Sequence, residues 1–230
     1  MFSKVNAVNI TSVFNIAPAV LTAALLVSPA SASTVVTYQD ASVFGDSGIY
    51  APVQISTPDI GGVYAGPFQV TGTDGVGDFL AFCVDLAQHM SSGNVYEYGV
   101  DLFSSAVVEN LDKLFTSAFA GVDTNVEGAA FQVAIWEIIT DTGSALDLGV
   151  GSFIASDPYD DGQDVIGLAS SYLAGLGTET GGYMLTFLSS DQGQDLVTAT
   201  PSPVPLPAAG LMLGFGMASL VAMRRKRKPA

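Results

Sequence analysis

The sequence predicts an α+β domain that lies between an apolar N-terminal segment and a C-terminal segment that is proline-rich, then apolar, then basic. Three observations predict this fold class. Strand-like runs separated by Gly, Asp, Ser and Pro fill the chain to about residue 100, three stretches with helical apolar spacing follow, and two strand-like runs close the domain. The 230 residues allow one domain of ordinary size once both ends are removed.

The N-terminal part of the domain is predicted to be rich in β-strands. The strand-like runs are Thr34–Tyr38, Tyr50–Ile55, Phe68–Thr71, Phe79–Val84 and Tyr96–Val100. In the fourth run both alternating sets of residues are apolar, which is typical of a strand covered on both faces. We therefore expect Cys83 to lie on a central strand and to be shielded from bulk water.

Three amphipathic helices and a closing β-hairpin are predicted to complete the domain. The helices are expected over Ala106–Phe119, Thr124–Thr140 and Gln163–Leu176, and the hairpin over Tyr183–Leu188 and Asp195–Thr198.

The second predicted helix carries an unusual polar residue. Thr124 and Glu127 match a capping box, and the apolar residues after them recur at helical spacing, so one side is expected to face a core. Gln132 lies on or beside that side. Because a buried primary amide needs partners for its donors and its acceptor, we expect Cys83, the only cysteine, to lie near it.

The charges divide the chain sharply. Of the seven basic residues, Lys4 lies near the N-terminus and five lie at 224–228, so the middle of the chain holds Lys113 against 22 acidic residues, a net charge of −21. Such a surface repels nucleic acid, which excludes that class of partner. Solubility in salty surroundings explains the acidity, with dispersed calcium sites as the alternative. The sequence implies no cofactor.

Residues 1–32 have the features of a secretory signal peptide. Lys4 is followed by an apolar run and by the small residues Ala30, Ser31 and Ala32 at a cleavage site, so the mature chain is predicted to begin at residue 33. A single cysteine excludes an internal disulfide framework. Because an unpaired thiol outside the cell is a liability, the presence of Cys83 needs a physical reason.

The C-terminus has three parts in order, which are proline-rich residues 201–207, an apolar run at 208–223 and a basic tail at 224–230. As a transmembrane helix the apolar run spans about 24 Å. That length is short of the hydrocarbon core of about 30 Å, so the run is a marginal anchor. The basic tail places this end in the cytoplasm and the domain of residues 33–200 outside.

This region resembles the PEP-CTERM sorting region of Gram-negative bacteria in its VPLPA variant. The motif residues are Val204, Pro205, Leu206, Pro207 and Ala208. The resemblance implies processing by an exosortase, a membrane-embedded cysteine peptidase. It also implies export across the inner membrane and transient anchoring before release to the cell surface or extracellular matrix. The alternative is a plain C-terminal membrane anchor that follows a proline linker.

The residues around Cys83 and Gln132 resemble the thioester domain of bacterial surface adhesins. An aromatic-Cys strand element, Phe82-Cys83, precedes an apolar-Gln-x-x-apolar-Trp element that runs from Phe131 to Trp136. In that family the cysteine sulfur and the glutamine side-chain carbon form an internal thioester with loss of ammonia. The resemblance implies that Cys83 supplies the thiol and Gln132 the acyl group. We expect Phe82, Phe131 and Trp136 to keep water from the bond.

The sequence therefore favours an exported surface or matrix protein that attaches covalently, through a Cys83–Gln132 thioester, to an amine- or hydroxyl-bearing target such as a polysaccharide. The alternative is a non-covalent matrix or biofilm component, in which Cys83 is a small buried hydrophobe and Gln132 bonds to a backbone group. We expect no enzymatic turnover, because Asp85 and the acidic surroundings disfavour the thiolate that a Cys83/His89 peptidase needs.

Two other groups of residues are candidates for chemistry. His89, the only histidine, follows Cys83 by six residues and is a candidate to assist acyl transfer to a hydroxyl, with a solvated turn residue as the alternative. The stretch that contains Asp157, Asp160, Asp161 and Asp164 resembles half of a calcium-binding loop. Because Tyr159 interrupts the alternation of carboxylates, a turn and helix N-cap is the favoured interpretation.

Overall fold

The computed structural model describes residues 34–39, 51–72, 77–89, 95–100, 103–142, 145–159 and 163–203. The strands are β1 (Thr34–Gln39), β2 (Ala51–Thr57), β3 (Gly61–Ala65), β4 (Phe68–Gly72), β5 (Gly77–Cys83), β6 (Val95–Val100), β7 (Ile154–Ser156), β8 (Tyr183–Ser189) and β9 (Leu196–Pro201). The helices are α1 (Ser105–Ala118), α2 (Asn125–Thr140) and α3 (Val165–Ala174), with a 3₁₀ turn at Phe119–Gly121. The predicted α+β class is confirmed.

Six strands form a closed antiparallel barrel in the order β1-β4-β5-β9-β8-β6. Strand β5 lies between β4 and β9, with Ala81 opposite Phe68 and Cys83 opposite Leu196. Cys83 is 1 % exposed. The expectation that it lies on a central strand and is shielded from water is therefore confirmed. The predicted closing hairpin is the β8–β9 pair.

A second sheet has the order β3-β2-β7, also with antiparallel pairs. The predicted strands include neither β3 nor β7. Strand β3 begins with the pair Gly61-Gly62, and glycine reduces strand propensity. Strand β7 has only three residues, and its pairing with β2 is a long-range contact that local pattern does not report.

Helix α2 is buried on nearly all sides, which corrects the expectation of an amphipathic helix with one core-facing side. It contacts α1 and α3 as well as strands of both sheets, so its apolar residues have partners in every direction. The expected amphipathic pattern holds for α1, whose buried residues are Val107, Leu111, Leu114 and Phe115. The position of Gln132 on a buried surface is confirmed, because it is 1 % exposed.

Side-chain caps fix the start of α2 and of α3. The Glu127 N–H donates to Thr124 Oγ1 at 3.2 Å and the Thr124 N–H donates to Glu127 Oε2 at 3.0 Å, which confirms the predicted capping box. The Gly167 N–H donates to Asp164 Oδ1 at 2.8 Å, so Asp164 is the N-cap of α3. These caps satisfy N–H groups that have no partner inside the helix.

Neighbouring residues of β5 belong to different cores. Ala81 packs in a small core with one residue from each of four other barrel strands, Val36, Val70, Leu188 and Leu196. Phe82 packs in the main core, which contains the helices. Because successive side chains of a strand point to opposite faces, β5 separates the two cores. Its last residue, Cys83, joins the main core against α2.

Within the part of the chain that the structure describes, no helix is long and apolar enough to cross a membrane. The predicted signal peptide at 1–32, the sorting motif at 204–208, the membrane segment at 208–223 and the basic tail at 224–230 lie outside the described residues.

Candidate functional site

The side-chain amide of Gln132 is docked on the main chain of Cys83. The Cys83 N–H donates to Gln132 Oε1 at 2.8 Å, and Gln132 Nε2 donates to the Cys83 carbonyl oxygen at 2.7 Å. Both bonds are buried and join residues 49 positions apart. The barrel strand β5 supplies one partner and the buried helix α2 the other, so the fold brings the two predicted residues together.

The Cys83 thiol points to the turn that follows β5. Its Sγ donates to the Asp85 carbonyl oxygen at 2.6 Å and accepts from the Asp85 N–H at 3.3 Å. The pKa of the thiol is raised to about 12, chiefly by burial and to a smaller extent by the charges of Asp85 and Asp195. The hydrogen bond with Asp85 and the nearby indole of Trp136 act in the opposite direction. Cys83 is therefore a neutral thiol at neutral pH.

Trp136 lies one helical turn after Gln132 and is 4 % exposed. Its indole Nε1–H has no hydrogen-bond acceptor among the residues that the structure describes. It lies near enough to the Cys83 sulfur to favour the thiolate, although not in hydrogen-bonding geometry. A buried N–H without an acceptor is uncommon, so Trp136 brings an unused donor to the site.

Phe82 and Phe131 pack behind the site, in an aromatic cluster with Phe115 and Phe119. The ring centroids of Phe82 and Phe131 are 5.0 Å apart, and those of Phe115 and Phe131 are 4.9 Å apart in an edge-to-face arrangement. Of the three residues expected to keep water out, only Trp136 lines the cavity beside the thiol. Phe82 and Phe131 instead fix β5 against α2.

A cavity of about 340 Å³ reaches both Cys83 and Gln132. Its other described lining residues are Ile60, Gly62, Val63, Tyr64, Gly66, Phe68, Leu86, His89, Trp136 and Gln194. Tyr64 is 74 % exposed and His89 is also exposed, so the cavity opens at the surface. A small molecule or the end of a larger one can reach the site from there.

The structure places His89, the predicted assistant of acyl transfer, in the wall of this cavity. The part of the wall on β3, including Tyr64, is absent from the predicted strands, whereas Phe68 lies at the start of the predicted strand Phe68–Thr71. The alternating Val63-Tyr64-Ala65 after the glycine pair was the one signal for it.

Lys113 lies on α1 and pairs with Glu109 across one turn, with Nζ 2.7 Å from Oε1.

Two buried carboxylates, Glu137 on α2 and Asp141 at its C-cap, hold the loop that follows the helix. Glu137 Oε1 accepts from the Asp147 N–H at 2.7 Å, and Asp141 accepts from the N–H groups of Ser152 and Phe153 at 2.8 and 3.2 Å. The pKa of Glu137 is raised to about 7, chiefly by burial and to a smaller extent by the charges of Asp141 and Asp147, while the hydrogen bond from the Asp147 N–H lowers it. The loop positions Phe153, whose ring centroid lies 6.4 Å from that of Trp136.

The aspartates of the predicted half calcium loop are only partly described. Asp157 Oδ2 accepts from the Ile166 N–H at 3.3 Å, and Asp164 caps α3, while Asp160 and Asp161 lie outside the described residues. Among the described residues there is no group of three or more His, Cys, Asp or Glu side chains placed to hold a metal ion. The favoured interpretation of Asp164 as a helix N-cap is confirmed.

No family model matches the chain, and no curated protein matches it. Among solved structures, the chain is similar to the N-terminal domain of the Streptococcus pyogenes pilus tip adhesin Cpa. The TM-score is 0.43 and the sequence identity is 15 %, over 74 % of this chain and 94 % of that chain.

Proposed function

We propose that this protein is an exported cell-surface or extracellular-matrix protein whose domain joins Cys83 to Gln132 in an internal thioester. The thioester then attaches the protein covalently to an amine or hydroxyl group of a target. The observation that carries the proposal is the pair of hydrogen bonds, 2.8 and 2.7 Å long, between the Gln132 amide and the Cys83 main chain. The cavity that reaches both residues supplies a path for the target.

Bond formation consumes the thiol and the amide. The Cys83 sulfur leaves the Asp85 carbonyl oxygen, turns to the Gln132 side-chain carbon and forms a C–S bond. The C–N bond of the amide breaks, and the thiol proton leaves with the nitrogen as ammonia. An amide is a poor acyl donor, and the buried thiol is neutral, so proximity has to lower the barrier. Well-oriented groups can contribute about 7–11 kcal/mol in this way.

The surroundings of the bond suit a protected electrophile. Cys83 and Gln132 are each 1 % exposed, so contact of the bond with water is confined to the cavity. The unused indole N–H of Trp136 is available to donate to the thioester. A nucleophile that enters the cavity attacks the Gln132 carbonyl carbon, becomes linked to Gln132 and returns the thiol to Cys83.

A non-covalent matrix component with the same fold is the second candidate. It is favoured because Cys83 and Gln132 have hydrogen-bond partners in the fold even when no thioester joins them. The Gln132 amide has a donor and an acceptor on the Cys83 main chain, and the sulfur has a partner in Asp85. A buried polar group with these partners is stable in a core and needs no reaction.

Titration of the thiol separates the two candidates, because the chain has a single cysteine. The full chain is unfolded in denaturant with and without prior methylamine treatment, and free thiol is counted. The thioester predicts almost no free thiol before treatment and one per chain afterwards. One free thiol per chain in both samples would favour the non-covalent protein. Cys83→Ala gives the background of the assay.

We also propose that the chain is exported through its N-terminal signal and sorted by an exosortase at residues 204–208. The support is the order of the three C-terminal parts, a proline-rich motif, a short apolar run and a basic tail. Expression in a Gram-negative host with and without an exosortase tests this. Release of a product that lacks the basic tail only in the first host supports it, and equal retention in the membrane of both hosts contradicts it.

A further inference from the structure

The described residues that line the cavity over Cys83 and Gln132 include no side chain of fixed charge. Six of the described lining residues are apolar or aromatic, two are glycines, and the polar ones besides Cys83 and Gln132 are His89 and Gln194. None of the described lining residues is Asp, Glu, Lys or Arg. This contrasts with the net charge of −21 in the middle of the chain.

Amines and hydroxyl groups are the two classes of nucleophile that could open a thioester, and a lining without Asp, Glu, Lys or Arg affects their entry differently. A lysine or polyamine ammonium that enters the cavity loses water and meets no carboxylate among the described lining residues, which is costly for a charge, although the charges of Asp85 and Asp195 act on the Cys83 sulfur from outside that lining. A neutral polyhydroxylated ligand loses less on entry. Its hydroxyl groups can bond to the imidazole of His89, a group that both donates and accepts.

Three aromatic side chains are among the described residues that line the cavity. Tyr64 on β3 is 74 % exposed, and Phe68 on β4 and Trp136 on α2 line the interior. Aromatic rings offer a flat apolar face, and Tyr adds a polar tip. A sugar ring has C–H groups on its faces and hydroxyl groups on its edge, so it fits between aromatic faces and amide groups.

A hydroxyl also needs a base, and His89 is the histidine that lines the cavity. A sugar hydroxyl is a very weak acid, whereas a neutral amine attacks a thioester without prior loss of a proton. His89 is the only histidine of the chain and lines the same cavity. Imidazole is the side chain most often used to transfer protons near neutral pH.

We propose that the target is a carbohydrate, seated on Tyr64, Phe68 and Trp136, and that His89 is the base for its attacking hydroxyl. This inference rests on the proposed thioester. His89 takes the hydroxyl proton while the oxygen attacks the Gln132 carbonyl carbon. The C–S bond breaks, and the proton passes to the Cys83 sulfur. The products are an ester between the sugar and Gln132 and a free Cys83 thiol. The high pKa of the buried thiol favours departure of the sulfur in protonated form.

The test compares three probes on the full chain, with adduct formation followed by intact mass. Methylamine reports the thioester itself, methyl glucoside reports hydroxyl transfer, and a lysine-containing peptide represents protein targets. We expect adducts with methylamine and with methyl glucoside, and a glucoside reaction faster than that of the peptide at equal concentration. Full sequence mass of the untreated chain, together with failure with methylamine, would overturn the proposed function and this inference together. A methylamine adduct without a glucoside adduct, or a faster peptide reaction, would overturn this inference alone.

Variants of the cavity wall test the assigned roles. His89→Gln is expected to slow ester formation with methyl glucoside by about a hundredfold or more, the usual scale of base catalysis, and to have a much smaller effect on the methylamine reaction. Tyr64→Ala is expected to weaken glucoside binding, and because the side chain is exposed the fold tolerates the change. Equal slowing of both reactions in His89→Gln would show that His89 is not the base for the hydroxyl.

Discussion

The amide of Gln132 bonds to the main chain of Cys83 as the edge of a neighbouring strand would. The oxygen accepts from the Cys83 N–H at 2.8 Å, and the nitrogen donates to the Cys83 carbonyl oxygen at 2.7 Å. The carboxamide is therefore fixed at the one residue of the chain that carries a thiol. This relationship positions the two groups for a reaction, and it also makes Gln132 important for stability whether or not they react.

Gln132→Ala is predicted to destabilise the domain strongly. The substitution leaves the buried N–H and C=O of Cys83 without their side-chain partner, and each unsatisfied group costs about 1–3 kcal/mol. Urea unfolding followed by the fluorescence of Trp136, the only tryptophan, measures the loss. Gln192→Ala, at an exposed position, is the control. Similar midpoints for the two variants would contradict the role assigned to the Gln132 hydrogen bonds.

Glu137 is predicted to make the domain less stable as the pH rises. Burial raises its pKa to about 7 in the folded protein, above the ordinary value of 4.5. The folded state therefore binds the proton more tightly than the unfolded state. This contribution to the free energy of unfolding is complete below pH 4.5 and is lost as the pH rises through 7.

The comparison of wild type with Glu137→Gln isolates this effect from other carboxylates. Urea midpoints at pH 5 and pH 8 are expected to show that the variant gains stability relative to wild type at the higher pH. Glu179→Gln, at an exposed position, is expected to show no such gain. A difference between wild type and Glu137→Gln that does not change with pH would contradict the assignment.

Gly151→Ala is predicted to disrupt the loop that α2 holds. Gly151 has a φ of 114°, and an added Cβ would overlap the Asp141 carboxylate, which accepts from Ser152 and Phe153. Gly181→Ala is the matched control, because its φ is 81° and nothing lies within 4 Å of the added Cβ.

The backbone cost alone is about 1–2 kcal/mol in each glycine variant. Because Gly151→Ala also displaces the Asp141 carboxylate, its melting temperature is expected to fall further than that of Gly181→Ala. Equal melting temperatures would show that Asp141 moves aside without cost.

Thr124→Ala is predicted to lower stability by about 0.5–2 kcal/mol through loss of the cap on α2. The hydroxyl of Thr124 accepts from the Glu127 N–H, and the loss leaves that group without its cap. The free energy of unfolding from urea titration measures the effect, with the exposed Thr178→Ala as the control. An unchanged value for Thr124→Ala would show that water replaces the cap.

Local patterns in the sequence predict the parts of the site that depend on neighbouring residues. The capping box of Thr124 and Glu127 and the doubly apolar run around Cys83 are read over a few residues, and both are confirmed. The burial of Gln132 follows from its place among apolar residues of α2. What periodicity does not report is that α2 is buried on nearly every side, because that depends on how many elements surround it.

The features that the sequence does not predict depend on long-range pairing. The barrel closes through the pairing of β1 with β6. Strand β7 pairs with β2, although the two strands are about a hundred residues apart in the sequence. The same holds for the cavity wall at Tyr64 and for the contact of the Glu137 carboxylate with the loop at Asp147. The sequence also does not predict which part of Cys83 the Gln132 amide contacts. The amide bonds to the main chain of Cys83, while the Cys83 thiol bonds to the carbonyl oxygen of Asp85.

The intact mass of the full chain, compared with that of Cys83→Ala prepared in the same way, decides whether the bond between Cys83 and Gln132 exists. The thioester predicts that wild type is lighter than its own sequence mass by one ammonia, that methylamine restores the mass as an adduct, and that Cys83→Ala has its full sequence mass. Full sequence mass for untreated wild type, with no adduct after methylamine, would contradict the thioester.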